Sequence, residues 1–529
     1  MTARAAGRSS TPAAPRSTET RTWLIFYAML VGQFLAMLDV QIVAASVNEI
    51  RDSVSASNDE ISWVQTSYLM AEIVSIPLAA YWSKRWGTLR VYTVSCLGFV
   101  AASLLTAAAD SLEMLVLGRA LQGFVGGAML PTVFSYAFSA LPAERRPRAS
   151  LLLSLAATLA PTLGPAVGGY ITELSSWRWL FLMNVPLGLA SLTIVHFLGR
   201  REVTPRNHSA RFDWVGVALL GLLLVGLLYV LEEGPAKNWL ESDHIIYALF
   251  LCATTTALLT YHLSVRHDAI LDLRPMLNRN FALGIVMVVT SGVALIGGTF
   301  ILPLFLSEVL DYTPGQIGAT VFLSGLAMLL TGLLLGRSLH RFDPRIPMSI
   351  GFALAAFGFW TGGAVTEQWT GADFTILQIA RGVGVMIAVT VTQTAMMATL
   401  PPALVPGASG LVYLARNLGG AAGLASLSSL LDHWLVIHLA ELSSRIGTAA
   451  ASQSSAAFEA LGRRMAQVMP GSSEEAASRL FNEMVMEQAM VLAFQECFHY
   501  LTIGAMVAAG AALLMRVQRK PGPQSVSIR

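Results

Sequence analysis

Fourteen apolar stretches, most of them long enough to cross a bilayer, take up nearly all of this 529-residue chain. A bilayer-crossing helix needs about 20 mostly apolar residues. With 54% hydrophobic and only 12% charged residues, little sequence is left for a soluble catalytic domain. The stretches fall at 23–47, 61–82, 89–109, 113–139, 150–173, 178–199, 213–232, 244–264, 282–306, 315–338, 346–365, 374–399, 408–438 and 489–515. Lipid leaves backbone groups no outside partner, so the expected fold class is an all-α polytopic membrane protein.

Basic residues set the expected orientation. With the N-terminus inside, 24 of the 34 Lys and Arg residues fall on the cytoplasmic side, including Lys84, Arg85, Arg90, Arg145, Arg146, Arg148, Arg274 and Arg279. Both termini are therefore expected in the cytoplasm. Residues 1–22, rich in Ser, Thr, Ala and Pro, read as a disordered cytoplasmic tail, and 516–529 as a second one. Cys96, Cys252 and Cys497 lie in or beside apolar spans and make no CxxC pair, which argues against a disulfide framework.

A weak repeat runs through the chain. Ala80-Tyr-Trp-Ser-Lys84-Arg85-Trp-Gly87 after span 2 parallels Gly336-Arg-Ser-Leu-His340-Arg341-Phe-Asp343 after span 10. Leu115-Val-Leu-Gly-Arg119 in span 4 parallels Leu377-Gln-Ile-Ala-Arg381 in span 12. This spacing fits an N-terminal six-helix bundle at 23–199, two inserted helices with linkers at 200–280, and a second six-helix bundle at 281–515. Repeated halves are typical of secondary transporters, with the substrate site between them near the midplane. Segment 440–487 is the one sizeable piece outside the spans. Phe458, Leu461, Met465 and Val468 at helical spacing suggest one or two amphipathic helices there, either capping the bundle or docking a partner.

Ionisable residues at membrane depth are expensive and mark function by default. Asp39, Glu72, Arg119 and Arg416 stand out. Gln65, Tyr68, Glu72, Ser75 and Ala79 form a polar or small stripe along span 2 that cannot face lipid. Glu72 has no Lys, Arg or His within a turn, so it is expected to exchange a proton near neutral pH or to bond a neighbouring helix. Asp39 and Arg119 should lie at similar depth and could pair, as a structural clasp or as a proton switch; Gln122 shares the face of Arg119. In span 5, Pro161 and Pro165 each remove a helix hydrogen bond, and Gly164 and Gly168, four apart, permit close helix approach.

In combination these segments resemble the major facilitator superfamily, and within it the fourteen-helix drug:proton antiporters of the EmrB/QacA type. The resemblance covers about residues 22–515. It is carried by Leu38-Asp39-Val40-Gln41-Ile42-Val43 in span 1, Lys84-Arg85-x-Gly87-x-x-Arg90 after span 2, Arg119-Ala-Leu-Gln122-Gly123 in span 4 and Gly164-Pro165-x-x-Gly168-Gly169 in span 5. Trp177-Arg178-Trp179-x-Phe181-x-x-Asn184-Val185-Pro186 at span 6 and Arg279-Asn280-Phe281 at span 9 extend it. The chain departs at Gln41, Ala44 and Asn48 in span 1, and at Ala80 and Lys84, where the superfamily has Gly and Asp. The resemblance implies a major facilitator fold of two six-helix bundles plus two inserted helices. It also implies a proton or cation site at Asp39 with Arg119, a gating loop at Lys84, Arg85, Gly87 and Arg90, and an antiporter motif at Pro161, Gly164, Pro165, Gly168 and Gly169.

The leading expectation is a proton-coupled exporter of amphipathic small molecules in the cell inner membrane. Its pocket would be lined by Tyr27, Phe34, Tyr68, Glu72, Phe300, Phe305 and Tyr413. An exporter of a native metabolite, siderophore or fatty acid is the alternative, since Arg119, Arg381 and Arg416 outnumber the acids. The resemblance also suggests an EmrA-type periplasmic adaptor and an outer-membrane channel as partners. No cofactor beyond the proton gradient, no metal and no nucleic acid is expected. The chain has no G-x-x-x-x-G-K-[ST] loop and no metal-spaced histidine pair in a span, which speaks against an ATP-driven pump or an enzyme.

Overall fold

The structure, a computed structural model, describes residues 16–142, 144–200, 213–266, 271–338, 343–401, 404–449 and 473–516. In the first half, the long helices are α1 (Arg16–Ala45), α2 (Trp63–Trp86), α3 (Thr88–Ala107), α4 (Leu112–Ala140), α5 (Arg146–Leu174) and α6 (Arg178–Gly199). The inserted pair is α7 (Trp214–Glu233) and α8 (Asp243–Val265). The second half holds α9 (Arg279–Glu308), α10 (Pro314–Ser338), α11 (Arg345–Gly362), α12 (Thr375–Ala398), α13 (Val405–Ala449) and α14 (Ser473–Ala512). Among the described residues, 12 of these are long and apolar enough to cross a membrane. The other two, α2 and α11, are 24 and 18 residues long and pack inside the same bundle, so fourteen is reached only by adding them. The polar stripe of α2 is what lowers its apolarity.

Local chemistry fixes many helix ends. Ser111 caps α4, Asp213 caps α7, and Asn278 accepts from the Asn280 and Phe281 amides to start α9. Gly87 ends α2 at φ 91°, a conformation only glycine adopts readily, which explains a glycine at that point of the loop. One expectation needs correction. Helix α1 begins at Arg16, inside the segment expected to be a disordered tail; Arg21 donates to the Leu198 carbonyl at 2.8 Å and Glu19 pairs with Arg145 at 3.2 Å. Helices α13 and α14 run into the expected loop 440–487 from both sides, and its Phe458–Val468 stripe lies outside the described residues. A π-helical turn, Val293–Gly297, interrupts α9. It sits where α9 crosses α13 most closely: Gly292 abuts the Arg416 carbonyl and Gly420, while Gly419 and Gly423 abut Val289 and Val293. Such turns mark functional crossings.

The end of the bundle that holds the start of α1, where Arg21 bonds Leu198 and Glu19 pairs with Arg145, is called here the terminal end; the opposite end is distal. Toward the terminal end both halves share one continuous apolar core, which includes Phe134, Tyr413, Phe281, Met348 and Met396. Toward the distal end the core divides. One cluster holds only first-half residues, among them Leu38, Val64, Leu115 and Phe181; another holds only second-half residues, among them Ile301, Phe305, Phe374 and Phe494. Polar bonds across the halves reinforce the terminal closure, from Thr394 to Ser150 at 2.9 Å and from Ser154 to Gln393 at 3.2 Å. The larger apolar cores of the halves merge at one end and separate toward the other, while α5 and α10 keep the halves in contact alongside, with a Cβ on Gly325 lying 3.4 Å from Leu163 and Thr162. Helix α7 packs against α2 and α13, one from each half.

Candidate functional site

Two polar centres lie inside the bundle. The first is built on Asp39 of α1, which is 1% exposed. Arg119 Nη1 donates to Asp39 Oδ2 and, at 2.9 Å, to Gln122 Oε1. Gln122 Nε2 donates to Asp39 Oδ1 at 3.1 Å and to Ser103 at 2.9 Å. Asn184 of α6 adds a third donor to Asp39 at 2.6 Å. Arg119 Nε reaches the Val64 carbonyl at 3.2 Å, and its guanidinium lies 4.1 Å from the Tyr68 ring centroid. A carboxylate held by three donors and an aromatic-covered arginine needs this many partners because a buried charge is costly unless paired and bonded. The expected Asp39–Arg119 pair is therefore formed, with Gln122 beside it. Asn184 was visible in the sequence only as part of the span-6 resemblance. The signal that could have marked it is a lone amide among the apolar residues of that span.

Glycines let the second helix approach. A Cβ on Gly123 would lie 2.2 Å from the Tyr68 carbonyl oxygen, and one on Gly127 would lie 2.6 Å from that of Glu72. Helix α4 thus packs directly on the polar stripe of α2. The span-5 motif does the same against α1: Gly164 faces Gln41 and Gly168 faces the Ile42 carbonyl, with Ser46 and Thr172 bonded at 2.7 Å. Pro161 lines the cavity described next; Pro165 is half-buried, and Gly169 borders a groove shared with Gly315 and Gly318 of α10.

The second centre is a cavity of about 120 Å³ at the seam of the halves. Its polar lining is Gln41, Gln65, Glu72, Glu232, Arg416 and Asn417, among Leu69, Leu228, Leu295, Ile296 and Leu424. Asn417 donates to Glu72 Oε1 at 3.1 Å, across the halves. Arg416 packs over Tyr413 at 4.6 Å, and its two Nη atoms are buried without a hydrogen bond. The volume is below the roughly 300–1,000 Å³ of a small-molecule pocket, so a drug-sized molecule needs the halves to part further.

Of the seven residues expected to line the pocket, Glu72 lines this cavity and the six aromatics do not. Tyr27 is exposed near Arg148, and Phe34 packs into the distal first-half core. Tyr68 covers Arg119 and donates to the Ala36 carbonyl at 2.9 Å. Phe300 is half-buried, and Phe305 is locked between Phe374 and Phe494. Tyr413 meets Phe134 edge-on in the shared core. Aromatic rings bury the most apolar area per residue, and Phe34, Tyr68, Phe305 and Tyr413 went to packed interiors. Sequence reading missed Glu232 and Asn417. In the gating loop, Lys84 pairs with Asp272 at 3.2 Å, Arg85 is half-buried and Arg90 exposed.

The internal repeat is chemically lopsided. Arg381 takes the place of Arg119 and bonds Gln378 at 2.9 Å, as Arg119 bonds Gln122. Arg381 has no carboxylate partner among the described residues, and its Nε and Nη1 are unbonded.

Comparison with known proteins agrees with this architecture. A Major Facilitator Superfamily sequence model matches residues 29–424. The "Colistin resistance protein EmrB" of Acinetobacter baumannii is 33% identical over 504 residues, covering 93% of this chain and 96% of that protein. The "Multidrug export protein EmrB" of Escherichia coli K12 is 27% identical over 89% of this chain and 91% of its own length. The "Fatty acid resistance protein FarB" of Neisseria gonorrhoeae is 27% identical over 88% and 90%. Among solved structures, the human organic anion transporter MFSD10 aligns with a TM-score of 0.58 at 12% identity, over 94% of this chain and all of that one, which speaks to fold alone. The chain is thus a multi-pass membrane transporter, not an enzyme, and belongs to the Major Facilitator Superfamily as an EmrB-type member.

Proposed function

We propose that this protein is a proton-driven exporter of amphipathic small molecules, working by alternating access in a cell inner membrane with both termini cytoplasmic. The observation that carries the reading is the cavity at the seam of the halves, which holds a carboxyl, Glu72, bonded across them by Asn417. Around it the halves share a core at the terminal end and divide at the distal end. With the termini inside, this is a state closed to the cytoplasm. Protonation of a carboxyl in such a site changes the bonds it offers, so proton and substrate can bias the same two-state equilibrium. Asp39 lies in the core of the first half, where losing its charge would weaken the hold of Arg119 on α1. Export of several drugs is what the names of the EmrB relatives describe, and it is the substrate breadth proposed here.

A second cargo class is favoured by one observation. Arg416 lines the cavity, and its two Nη atoms, buried without a hydrogen bond, would suit a carboxylate-bearing metabolite, siderophore or fatty acid once the halves part. An EmrA-type periplasmic adaptor, passing substrate to an outer-membrane channel, is proposed to dock on the extension between α13 and α14.

The test is substrate-induced proton release from purified protein in detergent, with ethidium, for wild type, Asp39→Asn and Glu72→Gln across neutral pH. Release that disappears in one variant supports the reading and names the coupling carboxyl. Dye binding by wild type without proton release would overturn proton exchange with that dye.

A further inference from the structure

Helix α7 belongs to neither six-helix half, yet it walls the cavity. Leu220, Leu224 and Leu228 are buried at steps of four, and the next step along that stripe is Glu232. Leu228 and Glu232 both line the cavity that contains Glu72 and Arg416. The helix is held there at both ends. At its start, Asp213 bonds His262 of α8 at 2.8 Å; past its end, Trp239 Nε1 donates to Ser429 of α13 at 2.7 Å.

The two adjacent glutamates that end α7 are treated differently. Glu233 pairs with Lys237 at 2.9 Å, and Lys237 also bonds Tyr229 at 2.9 Å. Glu232 has no hydrogen bond or ion pair among the described residues. Its neighbour along the chain is Glu233, a like charge. The other cavity carboxyl, Glu72, has Asn417. A partly buried charge without a protein partner is costly, and its natural partner is a group that enters the cavity.

We propose that Glu232 is a substrate-binding residue that holds the positive group of an amphipathic cation, and that the first inserted helix is therefore one wall of the substrate site. Leu228 below it and Leu424 and Ile296 opposite would take the apolar body. This rests on the reading of the cavity as the substrate site. It adds that specificity for cations comes from a helix outside the repeated halves.

The experiment measures ethidium affinity by fluorescence anisotropy on the purified full-length protein, with the anionic dye anilinonaphthalene sulfonate as a control. A lost charge-assisted contact weakens binding by roughly tenfold or more. Glu232→Gln should lose that much for ethidium and nothing for the anionic dye, and Glu233→Gln should change neither. Glu232→Cys gives a second measurement within one folded sample, because Cys96, Cys252 and Cys497 are buried. Attaching a sulfonate-bearing thiol reagent at position 232 should restore ethidium binding, and a trimethylammonium-bearing reagent should not. Wild-type ethidium affinity in Glu232→Gln, or equal effects of the two reagents, would overturn the proposal. Either result would leave the proton-release test at Asp39 and Glu72 untouched, so failure here is separable from failure of the transport reading.

Discussion

Lys84 Nζ, in the last turn of α2, lies 3.2 Å from Asp272 Oδ2 in the linker between the inserted helices and α9. The same carboxylate takes Arg274 at 2.7 and 2.8 Å and sits against Gly407 at the start of α13. One side chain thereby ties the gating loop, the linker and the second half at the terminal end. The superfamily's usual acid at position 84 is replaced by a base, and the base finds an acid in the linker. Lys84 is 38% exposed, so the pair itself is weak, on the order of 1 kcal/mol or less. Asp272→Lys should nevertheless raise alkylation of a cysteine placed at Ser150 several-fold, and adding Lys84→Asp should reverse most of the rise. Unchanged alkylation in both variants would show that the latch does not hold the terminal end shut.

The latch should also resist acid. Asp272 is held below the usual carboxylate range, mainly by its hydrogen bond from Arg274 and then by Lys84, against burial. A depressed folded value means that its contribution is complete above the unfolded value near 3.9 and is lost only as pH falls through the lower folded value. The same alkylation assay should therefore be flat between about pH 5 and 8 once reagent reactivity is corrected. A rise in accessibility at the acid end of that window would place the opening on another group.

Asp39 and Arg119 are 1% and 0% exposed at their side chains. Removing one partner strands the other. Arg119→Met should cost about 3–5 kcal/mol and lower the melting temperature in detergent. The double variant Asp39→Asn, Arg119→Met should recover part of the loss while remaining inactive in transport. Additive losses would mean that the two side chains do not act as a pair.

Arg381 offers the contrasting case. It is as buried as Arg119 but, among the described residues, has no acid to strand. Arg381→Met should leave the melting temperature unchanged or raise it, because an uncompensated buried charge is replaced by an apolar side chain of similar length. A fall comparable to that of Arg119→Met would point to an anionic partner that forms in another state of the cycle.

The crossing of α5 on α1 leaves no room for a side chain. A Cβ at Gly168 would lie 2.5 Å from the Ile42 carbonyl oxygen, and backbone cannot move aside cheaply. Gly168→Val should destabilise by about 1–3 kcal/mol, the range for overpacking. Disulfide trapping between cysteines at Ser46 and Thr172 should slow in that background. Wild-type trapping and melting would show that the two helices are not this close.

Span positions, family and the identity of the costly intramembrane charges were readable in the sequence, because lipid imposes a length of apolar residues and makes every exception conspicuous. That is how Asp39, Arg119, Glu72 and the tight glycines of α5 were found. The partners were a different matter. Asn184 on Asp39, Asn417 on Glu72 and Asp272 on Lys84 lie 145, 345 and 188 residues apart in sequence, and no periodicity links such positions. Of the aromatics expected at the pocket, packing sent Phe34, Tyr68, Phe305 and Tyr413 to the interior and left Tyr27 exposed. Glu232 closes the apolar stretch 213–232, and only the packing of α7 at the seam of the two halves brings it to the cavity. Local sequence sets what each helix must bury, whereas only the assembled bundle decides which buried faces meet and where a gap remains between them.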